Sequence, residues 1–260
     1  MAKSKSVVKR KGTAAAVPDQ FGDLAGRGME NVTGSDLLIP RLAIVQALSP
    51  QLDPSQPQYI EGAQIGHMCD VGTGDLFPDE IVFLPCFWRK DYIEWAPRKS
   101  GKGLVQIHSS PEILDTCQRD EKNRPFTAEG NLIAETAQWF GLNLSADGRK
   151  SFIPMASTQL KHSKRWMTQA TSEKQTRKDG SVFTPALFFR TYRLTTGEES
   201  NNEGKWSGWR IERGETLPEF SKEWKAYLAD AVGFCDSLAS GEINANVSHM
   251  DGVDREEGAM

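Results

Sequence analysis

Lys161, Lys164 and Arg165 stand at i, i+3 and i+4, a spacing that puts three side chains on one face of a helix. Trp166 follows directly, and Lys174, Arg177 and Lys178 continue the charge. From Lys161 to Lys178 there are six Lys or Arg against one Glu, although the whole chain has a formal net charge of −4. A cationic cluster in an acidic protein suits a polyanion, because Lys and Arg gain affinity for phosphates by releasing condensed counterions. The plainer reading is a solvated helix with Trp166 turned into the core. A second cluster mixes the same residue types: Trp88, Arg89, Lys90, Tyr92, Trp95, Arg98, Lys99 and Lys102, running into Ser100-Gly101-Lys102-Gly103. Aromatics interleaved with cations are the composition of a single-strand groove, in which bases stack on rings and phosphates meet cations. Its plainer reading is a strand with Trp88 and Trp95 in the core and cations on the rim, and Asp91 and Glu94 favour that side. In a third stretch Arg190 and Arg193 interleave with Phe188, Phe189 and Tyr192.

Catalytic patterns are sparse. The chain has no G-x-x-x-x-G-K-[ST], H-E-x-x-H or G-x-S-x-G motif. Glu223-Trp224-Lys225 has the E-x-K shape of some metal-dependent nucleases, but it falls on a helical pattern and lacks a convincing upstream Asp. His67, His108, His162 and His249 are isolated. Cys69, Cys86, Cys117 and Cys235 form no C-x-x-C pair and lack zinc spacing with the histidines, so they read as thiols in a reducing compartment. The expectation is a non-enzymatic protein with no cofactor and no metal.

These clusters need elements to position them. Phe152 to Ala156 reads as a strand, Ser157-Thr158 as a cap, and Gln159 onward as a helix, with no Gly or Pro until Gly180. Ile81 to Tyr92 is the longest β-like run, and its first half is apolar on both faces, so it should be central or covered. Gly72-Thr73-Gly74-Asp75 is a turn signal. Asn31 to Pro50 reads as a short helix or strand, and Pro111 to Gly130 as a loop. Asn131 to Leu144 returns to β, with Phe140, Leu142 and Leu144 on one face. Ala186 to Thr196 and Lys205 to Arg213 form a hairpin around Asn201-Asn202-Glu203-Gly204. Pro218 to Ser240 is the clearest helix, with Phe220, Trp224, Tyr227, Leu228, Ala231, Phe234, Cys235 and Leu238 in one apolar stripe ended by Gly241.

The 260 residues, 38% of them hydrophobic, support one sizeable domain with flexible ends. The expected organisation is a disordered basic arm over 1–30, a single domain over 31–240 and a disordered acidic tail over 241–260. The fold class is mainly β with two helices (α+β): an OB-like antiparallel β-barrel with enlarged loops, the alternative being an α+β sandwich. No run of 18 apolar residues occurs, which predicts no membrane partner and a cytoplasmic location.

The phrases ENVTGSDLLIPRLAIVQALSPQ, GAQIGHMCDVGTGDLF, YIEWAPRKSGKG and STQLKHSKRW together resemble a group of tailed-bacteriophage single-stranded-DNA-binding proteins, over roughly Glu30 to Leu238. That resemblance implies a role in phage DNA replication, recombination or repair within the bacterial host cell. The chain also resembles, more loosely, phage single-strand binders with an acidic C-terminal tail. This tail lacks their dense acid run and terminal aromatic, which puts tail-mediated recruitment of replication or recombination proteins in doubt.

The combined expectation is a protein that coats single-stranded DNA, or RNA, as a monomer or an oligomer. Its phosphate contacts are Arg89, Lys90, Arg98, Lys99, Lys102, Lys161, Lys164, Arg165, Arg190 and Arg193, and its stacking rings are Trp88, Tyr92, Trp95 and Trp166. The rival readings are a phage structural or host-interaction protein without nucleic-acid binding, and a metal-dependent nuclease.

Overall fold

The computed structural model describes residues 38–202 and 204–241, with Leu24, Arg27, Gly28 and Glu30 upstream. The chain divides into two units, Met1–Leu37 and Leu38–Met260. In the first, the Arg27 amide donates to the Leu24 carbonyl in a local turn. Nearly all of the expected basic arm and all but Gly241 of the acidic tail lie outside the described residues.

The second unit is mainly β. Its strands are β1 Leu42–Ile44, β2 Met68–Asp70, β3 Leu76–Phe77, β4 Ile81–Trp95, β5 Leu104–His108, β6 Gln118–Arg119, β7 Pro125–Phe126, β8 Leu132–Asn143, β9 Arg149–Ala156, β10 Gln175–Thr176, β11 Val182–Phe183, β12 Arg190–Asn201 and β13 Gly204–Thr216. The α-helices among the described residues are α1 Leu160–Thr171, α2 Leu217–Phe220 and α3 Trp224–Ala239. Among the described residues all strand ladders are antiparallel, and a single parallel bridge joins Arg41 to Phe152.

The long β4–β8 ladder, from Phe83↔Asn143 to Trp95↔Leu132, is the spine of an eight-stranded sheet that curls into a half-barrel. At one end β12 pairs the start of β4 and β9 pairs the last part of β8. At the other end β5 pairs the end of β4 and β7 the start of β8. β4 is apolar on both faces because both are covered. Leu84, Cys86, Phe140 and Phe152 pack with Leu217, Phe234 and Leu238 under α2 and α3. Phe83, Trp139, Ile153 and Met155 pack on the other face with Trp166, Tyr192, Leu194 and Trp209. Pro85 has no N–H to give the ladder and sits at a register shift, where a strand tolerates proline.

The sheet made of β1, β2 and β3 links the two flanks of the large one. The Phe152 amide donates to the Pro40 carbonyl at 2.9 Å, joining this sheet to β9. On the far flank the Gln46 side chain acts as a surrogate strand for β13. Its Nε2 donates to the Ser207 carbonyl at 2.8 Å and its Oε1 accepts the Ser207 amide at 2.9 Å. Gln159 repeats the device, its Oε1 accepting the Trp209 amide at 3.2 Å. An open strand edge is a template for aggregation, and these two amides occupy part of this one. Gln46→Ala leaves a buried donor and acceptor of Ser207 without partners and is expected to cost about 1–3 kcal/mol, read as a lower urea midpoint with an unchanged slope.

Several boundaries differ from the sequence expectation. Of the two readings of segment 31–50, short helix or strand, its described residues show the strand, β1, and no α-helix. The helix after β9 starts at Leu160 and stops at Thr171, not near Gly180, and neither Ser157 nor Thr158 caps it; a 3-10 turn over Ser157–Gln159 precedes it. β12 begins at Arg190, after a 3-10 turn over Leu187–Phe189. The terminal helix is broken, since Ser221 is extended and splits α2 from α3. Its apolar stripe still meets the core as expected.

Candidate nucleic-acid interface

Helix α1 lies beside β9 and β13 of the half-barrel. Ser163 and Trp166 face inward, and the Trp139 indole N–H donates to Ser163 Oγ at 2.9 Å. Trp166 stacks on Trp139 with centroids 4.0 Å apart and planes at 11°, and its edges meet Phe83 and Tyr192. At 0% exposure it is a core residue, so its expected role as a stacking ring is corrected: protein rings already occupy the positions a base would take. The opposite face of α1 presents Lys161, Lys164 and Arg165 to solvent as the spacing predicts.

The second cluster fares differently. Tyr92 and Trp95 are 7% and 4% exposed, too little for base stacking. Trp88 is half-buried against the core cluster that holds Trp166. Arg89 Nε donates to the Asp91 carboxylate at 2.9 Å and its guanidinium lies over the Phe140 ring. Gln138 donates to the same buried carboxylate at 2.5 Å. Burial pushes the Asp91 carboxyl upward, while Arg89 and Gln138 pull it down. Lys90 pairs with Glu135 at 2.8 Å. Arg190 donates through Nε and NH2 to Glu173, at 2.8 and 2.6 Å, and through NH1 to the Gly214 carbonyl. Arg193 pairs with Glu80 at 3.1 Å. Arg89, Lys90, Arg190 and Arg193 are therefore bound to protein acids. Lys99 and Lys102 are exposed on the turn after β4, with Arg98 opening its 3-10 segment.

α1 meets the β12–β13 hairpin through a cluster that no motif announced. Glu199 accepts from Lys161 Nζ at 2.9 Å, His162 Nε2 at 2.8 Å, Arg210 NH1 at 2.6 Å and the Trp206 indole N–H at 3.1 Å. Burial alone would raise its pKa, but the hydrogen bonds from Lys161 and Arg210 and the His162 charge prevail and hold it at about 2. Burial lowers the His162 pKa, with Lys161 and Arg210 acting in the same direction and Glu199 opposing them. Glu199 and His162 are 37 positions apart, so local spacing cannot reveal the pair. The available signal is two glycines inside strands, a pattern that marks close approach. Gly197 and Gly208 face each other in register, and a Cβ would lie 2.9 Å from the Arg210 guanidinium at the first and 2.7 Å from the Glu199 carboxylate at the second.

Beside this cluster is a cavity of about 280 Å³. Trp166, Gln169 and Ile211 are among the residues that line it, as are Arg165, Glu199, Arg210 and Glu212. Past the helix, Arg177 lies over the Phe183 ring at 4.5 Å in the small β10–β11 hairpin, and Lys174 donates to Thr184 at 2.6 Å. Glu223 and Lys225 sit at the start of α3, with the Lys225 ammonium over the Trp224 ring. Among the described residues no three His, Cys, Asp or Glu gather as a metal site, and no helix is long and apolar enough to cross a membrane.

The family model described as Pam3 phage gp34-like protein matches residues 9–244. No curated protein and no solved structure matches.

Proposed function

The chain belongs to the Pam3 phage gp34-like family, and from the geometry above we propose that this phage protein binds single-stranded DNA without catalysis, in DNA replication or recombination inside the host cell. One observation carries the reading. Between Lys161 and Lys178 the cations are exposed, and two of the acids beside them are already neutralised, Glu173 by Arg190 and Glu199 by Lys161 and Arg210, which leaves Glu212 as an acid without an ion pair among the described residues. Lys164, Arg165 and Lys178 make no ion pair with a described residue, so their field points outward. A phosphate backbone is the ligand such a surface suits.

The topology adds support. Read as an OB-type barrel, the β4–β8–β9 meander, the helix α1 and the β12–β13 hairpin returning to β4 would supply its five strands and its helix. Such barrels bind on their second and third strands and adjoining loops. Here α3 covers that face of β8 and β9 through Phe234 and Leu238. The strand path therefore runs over α1 toward the β10–β11 hairpin, where Arg177 over Phe183 offers a stacking plane. Lys99 and Lys102, in the first long loop, provide a secondary contact.

Titration of labelled oligo-dT, followed by anisotropy at increasing salt, tests this reading. Replacing Lys164, Arg165 and Lys178 together by Ala should weaken binding and reduce the slope of log K against log salt by about 2, at about 0.7 per lost single-strand phosphate contact. An unchanged slope removes α1 from the path. No affinity for any single strand at low salt shifts the reading to a phage interaction protein. For that alternative the pertinent observation is edge strand β5, which exposes Val105 and Ile107 two residues apart.

A further inference from the structure

The charge around the α1 cavity is divided in a way a phosphate site does not require. Glu199 is neutralised, but Glu212, also in the wall, is exposed and pairs with no described residue. A free carboxylate repels phosphate. Arg165, which makes no ion pair with a described residue, lines the same cavity. A third lining residue, Gln169, keeps its side-chain oxygen without a hydrogen-bond partner among the described residues. The cavity thus combines a charged acceptor, a charged donor and a neutral acceptor around an apolar patch from Ile211. Its volume of about 280 Å³ is close to the lower end for small-molecule pockets, about 300 Å³. That suits one planar ring system and exceeds what a lone phosphate needs.

The donor and acceptor sets of the bases narrow the choice. Carboxylates only accept and guanidinium groups only donate. Guanine places two donors side by side, the ring N1–H and the exocyclic N2 amine, next to the acceptors O6 and N7. Thymine brings one donor, and adenine and cytosine bring one amine beside a ring acceptor that a carboxylate repels. We propose that this cavity receives a single guanine base of the bound strand, with Glu212 accepting from its paired donors and Arg165 donating to its O6 and N7 edge. The proposal rests on the single-strand reading above and adds a sequence preference to it. The binder then has two parts, a phosphate path along α1 and one base-reading pocket beside it, with Arg165 at their junction: it serves the path on oligo-dT and turns to the base edge where a guanine fills the pocket.

Two arms of one experiment separate this proposal from its premise. In the first, oligo-dT is compared with the same oligomer carrying one central dG, dA or hypoxanthine. The dG oligomer should bind roughly tenfold tighter than the dA oligomer, the scale of one good bidentate base contact. Hypoxanthine, which lacks the N2 amine, should fall between them. Glu212→Gln should erase the preference while oligo-dT affinity holds or rises, because a negative charge is removed from the path. Equal affinity for all oligomers, with oligo-dT binding intact, overturns the guanine pocket and leaves single-strand binding standing. In the second arm, guanosine and adenosine 5′-monophosphates are titrated by NMR against the full chain. Guanosine monophosphate should shift the Ile211 methyls and the Gln169 side-chain amide in the wild type but not in Glu212→Gln. Such shifts without oligomer binding would retain the pocket and reject the strand path, whereas no shift with either nucleotide would reject the pocket.

Discussion

Trp166→Ala should lower the unfolding free energy by about 3–5 kcal/mol, the usual range for deleting a fully buried large aromatic. The indole fills the space between α1 and the inner face of the half-barrel. It stacks on Trp139 and meets the edges of Phe83 and Tyr192, so the cavity left behind would be walled by rings fixed on three strands. Rigid strands collapse little into such a hole, which favours the upper part of the range. Domains of this size have total stabilities of about 5–15 kcal/mol, so the variant should show a much lower urea midpoint and a loosened α1. A cost below about 1 kcal/mol would mean that the ring is not the core element described.

The second large effect belongs to Glu199. Glu199→Ala removes the acceptor shared by Lys161, His162, Arg210 and Trp206, and about 2–3 kcal/mol of stability should go with it, the scale of hydrogen bonds to a charged group. Lys161 and Arg210 remain partly in water, which keeps the figure below that of a wholly buried pair. The effect should depend on pH with a definite sign. The folded-state pKa of Glu199 is about 2, against 4.5 for the free side chain, so the unfolded chain binds the proton more readily. Its contribution is complete above about 4.5 and is lost as pH falls toward about 2. His162 acts in the same direction from higher pH, since its folded pKa lies below 6.5 and acid must charge a part-buried ring. Urea midpoints of wild type and Glu199→Ala should therefore converge as the solution is acidified. A gap that persists down to the lowest pH would show that packing, and not the carboxylate charge, is responsible.

Much of this architecture is local and was legible in the sequence. The doubly apolar first half of β4, the one-sided Phe140, Leu142 and Leu144, and the stripe from Phe220 to Leu238 are periodic patterns, and periodicity reports which face is buried. The exposure of Lys161, Lys164 and Arg165 follows from their spacing in the same way. Composition could not say where the aromatics go. Trp166 next to two cations reads alike as platform or as core, and the choice was made by Trp139, Phe83 and Tyr192 arriving from strands distant in the chain. Lys90, Arg190 and Arg193 are as cationic as Lys164 in the sequence, and only tertiary pairing with Glu135, Glu173 and Glu80 distinguishes them, whereas the partner of Arg89, Asp91, stands two residues away in the chain. The end of α1 is a further case: no Gly or Pro stops it at Thr171, yet Arg213 from β13 donates to the Gln169 carbonyl and to Ser172 Oγ at that point. The sequence by itself determined the alternation of elements and which face of each is apolar, because both arise from neighbours a few residues apart. The Glu199 cluster, the cavity beside α1 and the division of cations into paired and free were decided only by the tertiary structure. Each depends on charges brought together across strands, where proximity and burial, not residue type, set the energy.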